Sequence, residues 1–193
     1  MNTITPLYLH KLPQLNEVFG FLNRGKHLNR LADHRLWAEL ERERDAYEML
    51  FGALGYTLRL DDRGFAWFHF DEASSNVSKT TRQLALLFML AFEFQADVGL
   101  NLGRFTDWLI DDKLLSALVE KNRMLLEAEG LADPDQLEQL LKAASNYGFA
   151  AIEGNSWRLL PAVFRYLDRF EELATAREPT ASLPTLSEES EPE

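Results

Sequence analysis

LFGALGYTLRLDDRGFAWFHF, residues 50–70, switches its apolar period from 3.6 to 2 within a few residues, and that switch decides the fold. Upstream of it, Leu36, Leu40, Tyr47, Leu50, Phe51 and Leu54 recur at helical spacing. Glu39, Arg42, Glu43 and Arg44 fall on other faces, and Asp33 is placed to cap the start. The spacing therefore predicts one amphipathic helix over 35–54. Gly52 and Gly55 weaken its end, after which Tyr56, Leu58 and Leu60 alternate with Thr57, Arg59 and Asp61 as in a half-buried strand. Asp61-Asp62-Arg63-Gly64 reads as a tight turn, and residues 65–70 return as the second strand.

The same grammar appears again in AASNYGFAAIEGNSWRLL, residues 143–160. Asp133-Pro134 opens a helix with the apolar stripe Leu137, Leu140, Leu141 and Ala144, and Asn146-Tyr147-Gly148 closes it. Residues 149–152 and 156–160 flank the compact turn Glu153-Gly154-Asn155, and Pro161 starts a last helix through Leu173. A helix running into a two-stranded ribbon, met twice, outlines two winged-helix domains in tandem. The fold class expected is mainly α with small β-hairpins (α+β). Its divisions are an N-terminal domain at 1–72, a polar linker at 73–79, a C-terminal domain at 80–175 and an acidic disordered tail at 176–193.

Composition narrows the chemistry. The chain has 193 residues, 46% of them hydrophobic, which suits two small soluble modules. It has no cysteine, excluding disulfides, thiolate metal sites and cysteine nucleophiles. MNTITPLYLHKL, residues 1–12, does not read as a secretory leader, so a cytoplasmic location is expected. The longest apolar run, LALLFMLAFEF at 84–94, falls short of the roughly 20 residues a membrane span needs and reads as a core helix. The net charge is −11, and residues 177–193 set one arginine against five glutamates, a net of −4. With Pro179, Pro184 and Pro192 that segment lacks the apolar surface to offset its own ordering.

No motif supports catalysis. Residues 20–27, GFLNRGKH, match seven positions of a phosphate-binding P-loop, but the eighth is His27 where Ser or Thr should hold magnesium, and the preceding segment reads as helix rather than strand. His10, His27, His34 and His69 include no zinc-protease pair, and His27 and His34, seven apart, lack a third ligand and read as surface residues. The adjacent acids Asp61-Asp62 and Asp111-Asp112 read as a turn and a helix start. Nor is DNA reading favoured: residues 35–54 carry three arginines against five acids, and the second candidate recognition helix one lysine against three. A local basic cluster, Arg24, Lys26, Arg30 and Arg35, with Lys79 and Arg82 as candidate neighbours, is either solvated surface or a DNA contact. In the first hairpin Phe65, Trp67 and His69 fall on one strand face and Ala66, Phe68 and Phe70 on the other. One aromatic face is then open for a partner or covered by the N-terminal segment, and Phe65 and Trp67 are the candidate partner-binding residues.

With these features the chain resembles the MukE-like subunits of bacterial condensins, MksE in particular, and more broadly the kleisin-interacting tandem winged-helix elements. The resemblance rests on length, the two helix–hairpin units, the hairpin LGYTLRLDDRGFAWFHF at 54–70 and the helix TTRQLALLFMLAFEF at 80–94. It covers residues 15–173. It implies a non-catalytic homodimer without cofactor or metal that binds the kleisin subunit and, through it, an SMC ATPase. Such a subunit is nucleoid-associated, meets DNA mainly through the complex, and serves chromosome organisation, segregation or plasmid defence. The alternative expectation is a winged-helix transcription regulator that touches DNA through residues 24–35.

Overall fold

The structure is a computed structural model that describes residues 8–69 and 78–176. A short 3-10 turn at Leu9–Lys11 leads to α1 (Leu15–Leu22), β1 (Leu28–Asn29), α2 (His34–Arg42), α3 (Arg44–Ala53), β2 (Thr57–Asp61) and β3 (Phe65–His69). The second half follows with α4 (Lys79–Asp97), a 3-10 segment at Leu102–Asp107, β4 (Leu109–Ile110), α5 (Asp112–Lys121), α6 (Arg123–Ala128), α7 (Pro134–Asn146), β5 (Ala150–Glu153), β6 (Ser156–Leu159), a 3-10 turn at Pro161–Val163 and α8 (Phe164–Thr175). The chain is mainly helical with small antiparallel sheets, an α+β fold. Each half forms a three-stranded sheet with the same pattern, β1-β3-β2 and β4-β6-β5. In each a two-residue strand pairs with the last strand of a hairpin. β3 registers Leu28 against Ala66 and Leu58 against Phe68, and β6 registers Ile110 and Ile152 against Trp157.

Two cores lie on either side of the undescribed stretch 70–77. The first gathers Val18, Leu22, Leu40, Tyr47, Phe51, Ala66 and Phe68. The second is built around α4, whose Leu84, Leu87, Phe88, Ala91 and Phe92 pack against α5, α7 and the second sheet. A fully buried side chain of this size stabilises by roughly 1.5–3 kcal/mol relative to exposure, so α4 dominates its half. Its Glu93 stays outside and meets Lys121 at 3.4 Å. Among the described residues no helix is long and apolar enough to cross a membrane.

β3 belongs to both cores. Successive strand residues point to opposite faces, so Ala66 and Phe68 enter the first core while Phe65 is buried in the second and Trp67 packs against it.

Local expectations needed correction in the first half. The helix foreseen over 35–54 is two helices, broken at Glu43 (φ −107, ψ 29). Glu39, assigned to an outer face, is buried: its Oε1 accepts from the backbone N–H of Gln14 (2.9 Å) and the hydroxyl of Tyr47 (2.7 Å), tying α1, α2 and α3 together. Burial and that bond push the Tyr47 phenol far above its ordinary pKa. Asp33 stands at the N-cap of α2, yet its carboxylate accepts from the N–H of Asn29 (3.0 Å) instead of capping the helix.

In the second half Asp111 caps α5 by accepting from the N–H of Leu114 (2.9 Å), and Asp133 with Gln136 forms a capping box at α7. Lys79, expected in the linker, is the first residue of α4, with Ser78 capping it. Residues 73–77 of the expected linker, and the expected tail beyond Ala176, lie outside the described residues.

Candidate functional site

The chemically densest place in the molecule is the joint between the halves. β1 is only two residues long, and it carries Asn29 to the boundary, where its side chain reaches backbone groups of the second half. The Asn29 side chain is completely buried. Its Nδ2 donates to the carbonyls of His27 (2.9 Å) and Gly148 (2.8 Å), and its Oδ1 accepts from the N–H of Ala162 (3.1 Å). Each polar group of the amide thus has a partner, as a buried amide requires.

His27 adds a second set of ties. Its backbone N–H donates to the carbonyl of Tyr147 (2.9 Å), and its Nδ1 lies 2.8 Å from the same oxygen. Its Nε2 lies 2.7 Å from Nη1 of Arg165. A guanidinium only donates, so Nε2 accepts and the imidazole proton sits on Nδ1, which donates to Tyr147. The ring stands 4.5 Å from that of Phe149. Burial, then the positive charge of Arg165, lower the pKa of His27 to about 4, although the Tyr147 carbonyl pulls the other way.

This geometry makes a pH prediction. An unfolded His27 titrates near the ordinary 6.5, so between pH 6.5 and 4 the unfolded chain binds the proton and the folded chain does not. The stability that His27 contributes is complete above pH 6.5 and falls as the pH drops through that window, by about 3 kcal/mol in all. Urea melts at pH 7.5, 6 and 5 should show a fall that His27→Gln removes. An equal acid sensitivity in the variant would assign it to other groups.

A charged clasp closes the other side of the joint. Arg63, from the turn between β2 and β3, donates to both oxygens of Asp168 on α8 (2.7 and 2.6 Å) and to both of Asp61 (2.8 and 2.7 Å). Its guanidinium lies over the ring of Phe164 at 4.4 Å. The Arg63 hydrogen bonds outweigh partial burial and lower the Asp61 pKa. The clasp is partly exposed, so its geometry matters more than its energy.

The structure places the sequence-selected residues unevenly. Phe65 is fully buried, stacked on Trp67 at 5.3 Å, so this aromatic face is covered by the second half rather than by the N-terminal segment. The Trp67 ring carries the Arg165 guanidinium at 4.7 Å, and its buried Nε1 has no hydrogen-bond partner among the described residues. In the basic cluster Arg24, Arg30 and Arg35 are exposed. Lys26 sits over the ring of Phe21, Arg30 lies against the hairpin turn at Gly64, and Arg35 is engaged by Gln14 and by Glu17 at 2.5 Å. The P-loop-like string is the end of α1 and a turn at Gly25. His34 is exposed as expected, and His10 and His69 are exposed too, whereas His27 is not a surface residue.

Beside the joint opens a cleft of about 380 Å³ lined by Gly25, His27, Thr80, Thr81, Arg165 and Arg169, among others. Sequence reading missed Asn29, Gly148, Arg165 and the Arg63–Asp168 clasp, because each is defined by a partner more than a hundred residues away. Among the described residues no group of three or more His, Cys, Asp or Glu is arranged to hold a metal ion.

Comparison with known proteins adds the following. The family model described as condensin complex protein MksE matches residues 13–171, which takes in both halves and the joint. No curated protein matches the chain.

Proposed function

The chain belongs to the MksE family of condensin complex proteins, and from that premise we propose that it is a non-catalytic accessory subunit that clasps the kleisin of an SMC complex. Through the kleisin it acts on the SMC ATPase, as a homodimer, in the cytoplasm and on the nucleoid. Its task there is chromosome organisation, segregation or plasmid defence.

The observation that carries this reading is the electrostatics of the repeated unit. Each half reads as a winged helix: a helix, a short strand, further helices and a hairpin, with sheet orders β1-β3-β2 and β4-β6-β5. In a DNA reader of this outline the helix before the hairpin brings cations to the groove. Here α3 has one arginine against two acids and α7 one lysine against two. Both cations are already engaged by acids of their own helix, Arg44 with Glu48 at 2.8 Å and Lys142 with Glu138 at 2.9 Å. Phosphate affinity scales with the cations available to replace counterions, so these helices suit a protein partner better than a duplex.

Two further assignments follow. Phe65 and Trp67 influence kleisin binding through the joint, by fixing how the halves face one another. Arg24, Lys26, Arg30 and Arg35 are the residues through which DNA held by the assembled complex would be touched.

Co-expression with the kleisin encoded alongside tests the proposal. A complex that survives size-exclusion chromatography is the expected result, and two separate peaks would contradict it. A salt-dependent, sequence-selective shift of a promoter fragment by this protein alone would instead favour a transcription regulator.

A further inference from the structure

We propose that α6 is the face through which two copies of this chain meet, lying antiparallel across a two-fold axis. The inference rests on the homodimer part of the function proposed above and adds the surface that would form it. Successive residues of a helix turn by about 100°, so the buried Leu126 fixes the inner side of α6 and Met124 with Ala128 the outer. Arg123 and Glu127 fall on one flank of that outer ridge and Leu125 on the other. Met124 is 86% exposed, the largest value among the exposed large hydrophobic residues described, and Leu125 is 46% exposed. Neighbouring exposed apolar groups with a charged rim mark an interaction surface.

The pattern selects a second copy as the occupant because it is its own complement. An isologous contact sets residue i of one subunit against j of the other, and j against i. A two-fold axis crossing α6 at the level of residues 125 and 126 sets Arg123 against the second copy's Glu127, and Glu127 against its Arg123. The same axis packs the long Met124 against the small Ala128 and brings the two Leu125 side chains together. Both charges are available for this. Elsewhere on exposed helix faces opposite charges four apart are already joined, Arg44 with Glu48 and Lys142 with Glu138. Among the described residues neither the Arg123 nor the Glu127 side chain takes part in an ion pair or hydrogen bond. The pairing is also electrically balanced, which matters between copies that each carry −11: a face of one sign would add to a repulsion the whole molecule already exerts.

A helix of six residues is too little for a stable dimer, which buries about 800 Å² on each partner. α4 extends the face. Gln83 donates to the carbonyl of Glu129 at 2.8 Å, and Lys121 meets Asp97 at 2.6 Å, so α6 lies beside the stretch of α4 between those two ties. On that stretch Met89 is 43% exposed. Methionine is unbranched and polarisable, so Met89 and Met124 can fit an irregular apolar contact with little adjustment of their neighbours. The apolar part of the face thus spans two helices of the second half, and the Arg123 and Glu127 flank sets its direction.

Sedimentation of the full chain reads the test. The unaltered protein is expected to dimerise. Arg123→Glu or Glu127→Arg alone sets like charges together twice across the axis and should raise the dimer Kd about tenfold or more. Both changes in one chain restore opposite pairs and should return Kd to within about threefold of the starting value. These side chains are exposed, so the fold is not at stake. The chain has no cysteine, so Leu125→Cys adds a single thiol, which should link two copies under mild oxidant, whereas Lys142→Cys on α7 should not. A monomeric unaltered protein would remove the homodimer reading and this inference with it. A dimer indifferent to both charge reversals, or one linked by the Lys142→Cys thiol and not by Leu125→Cys, would overturn the interface alone. So would reversals that leave the dimer intact but release a co-expressed kleisin, which would make the kleisin the occupant of this face.

Discussion

Asn29→Leu is expected to lower stability by about 3–5 kcal/mol, because each backbone group left buried without a partner costs about 1–3 kcal/mol and the losses are not fully additive. Leucine keeps the forked four-atom outline of asparagine, although its two methyl groups are bulkier than the amide O and NH2 they replace. What it removes are the three bonds to the His27 carbonyl, the Gly148 carbonyl and the Ala162 N–H, and the site is closed to water. Asn29→Asp should be at least as damaging. It retains an acceptor for Ala162 but turns a carboxylate toward two carbonyl oxygens, where no donor remains. Urea unfolding would read both. Because two of the three bonds reach the second half, the leucine variant should also broaden the transition, as the halves begin to unfold separately. A loss below about 1 kcal/mol, the level of an ordinary surface change, would show that the joint does not depend on this amide.

Gly148→Val carries the second large effect. Gly148 has φ +80, where a side chain is strained, and a Cβ there would fall 2.3 Å from the carbonyl oxygen of His27. That oxygen is backbone and is held by Asn29, so it cannot swing aside as a flexible side chain could. The conformational strain alone is about 1–3 kcal/mol. The contact must also push β1 away from the second half, so the total should exceed the strain by several kcal/mol, an overpacking cost of the kind seen when rigid cores are overfilled. Gly154 supplies the control. It has φ +61 with nothing within 4 Å of a built Cβ, so Gly154→Ala registers the backbone strain without the collision. Equal losses in the two variants would mean that the close approach at Gly148 relaxes at little cost.

Much of the fold could be read from local pattern, and the joint could not. The hairpin at 57–69 announces itself through the alternation of its first strand and an Asp-Asp-Arg-Gly turn, and the α7 start through Asp-Pro. Residues 84–94 of α4 are apolar nearly all round apart from Glu93, which points to a core whatever surrounds it. These signals act over a few residues. The break at Glu43 has no Gly or Pro to mark it, and the burial of Glu39 depends on Tyr47 and Gln14 meeting in space. His27 read as a surface histidine because the sequence offers it and His34 no third metal ligand. Its burial is created by Tyr147, Phe149 and Arg165, some 120 to 138 positions away. For Phe65 and Trp67 the alternation correctly showed two aromatic faces, but only the second core reveals what covers one of them.

The joint is what makes the tandem arrangement useful. Two modules on a free linker would meet a partner at any angle, and binding would have to fix that angle at an entropic cost. Here Asn29, His27 and the Arg63–Asp168 clasp set it beforehand, so that both halves meet a partner as one body.

Differential scanning calorimetry of the intact protein probes that unity directly. A single transition whose calorimetric and van't Hoff enthalpies agree is the result expected of halves locked through β1 and β3. Two resolved transitions, one for the core around Tyr47 and Phe51 and one for the core around α4, would show that the halves are independent and that the joint does not hold them.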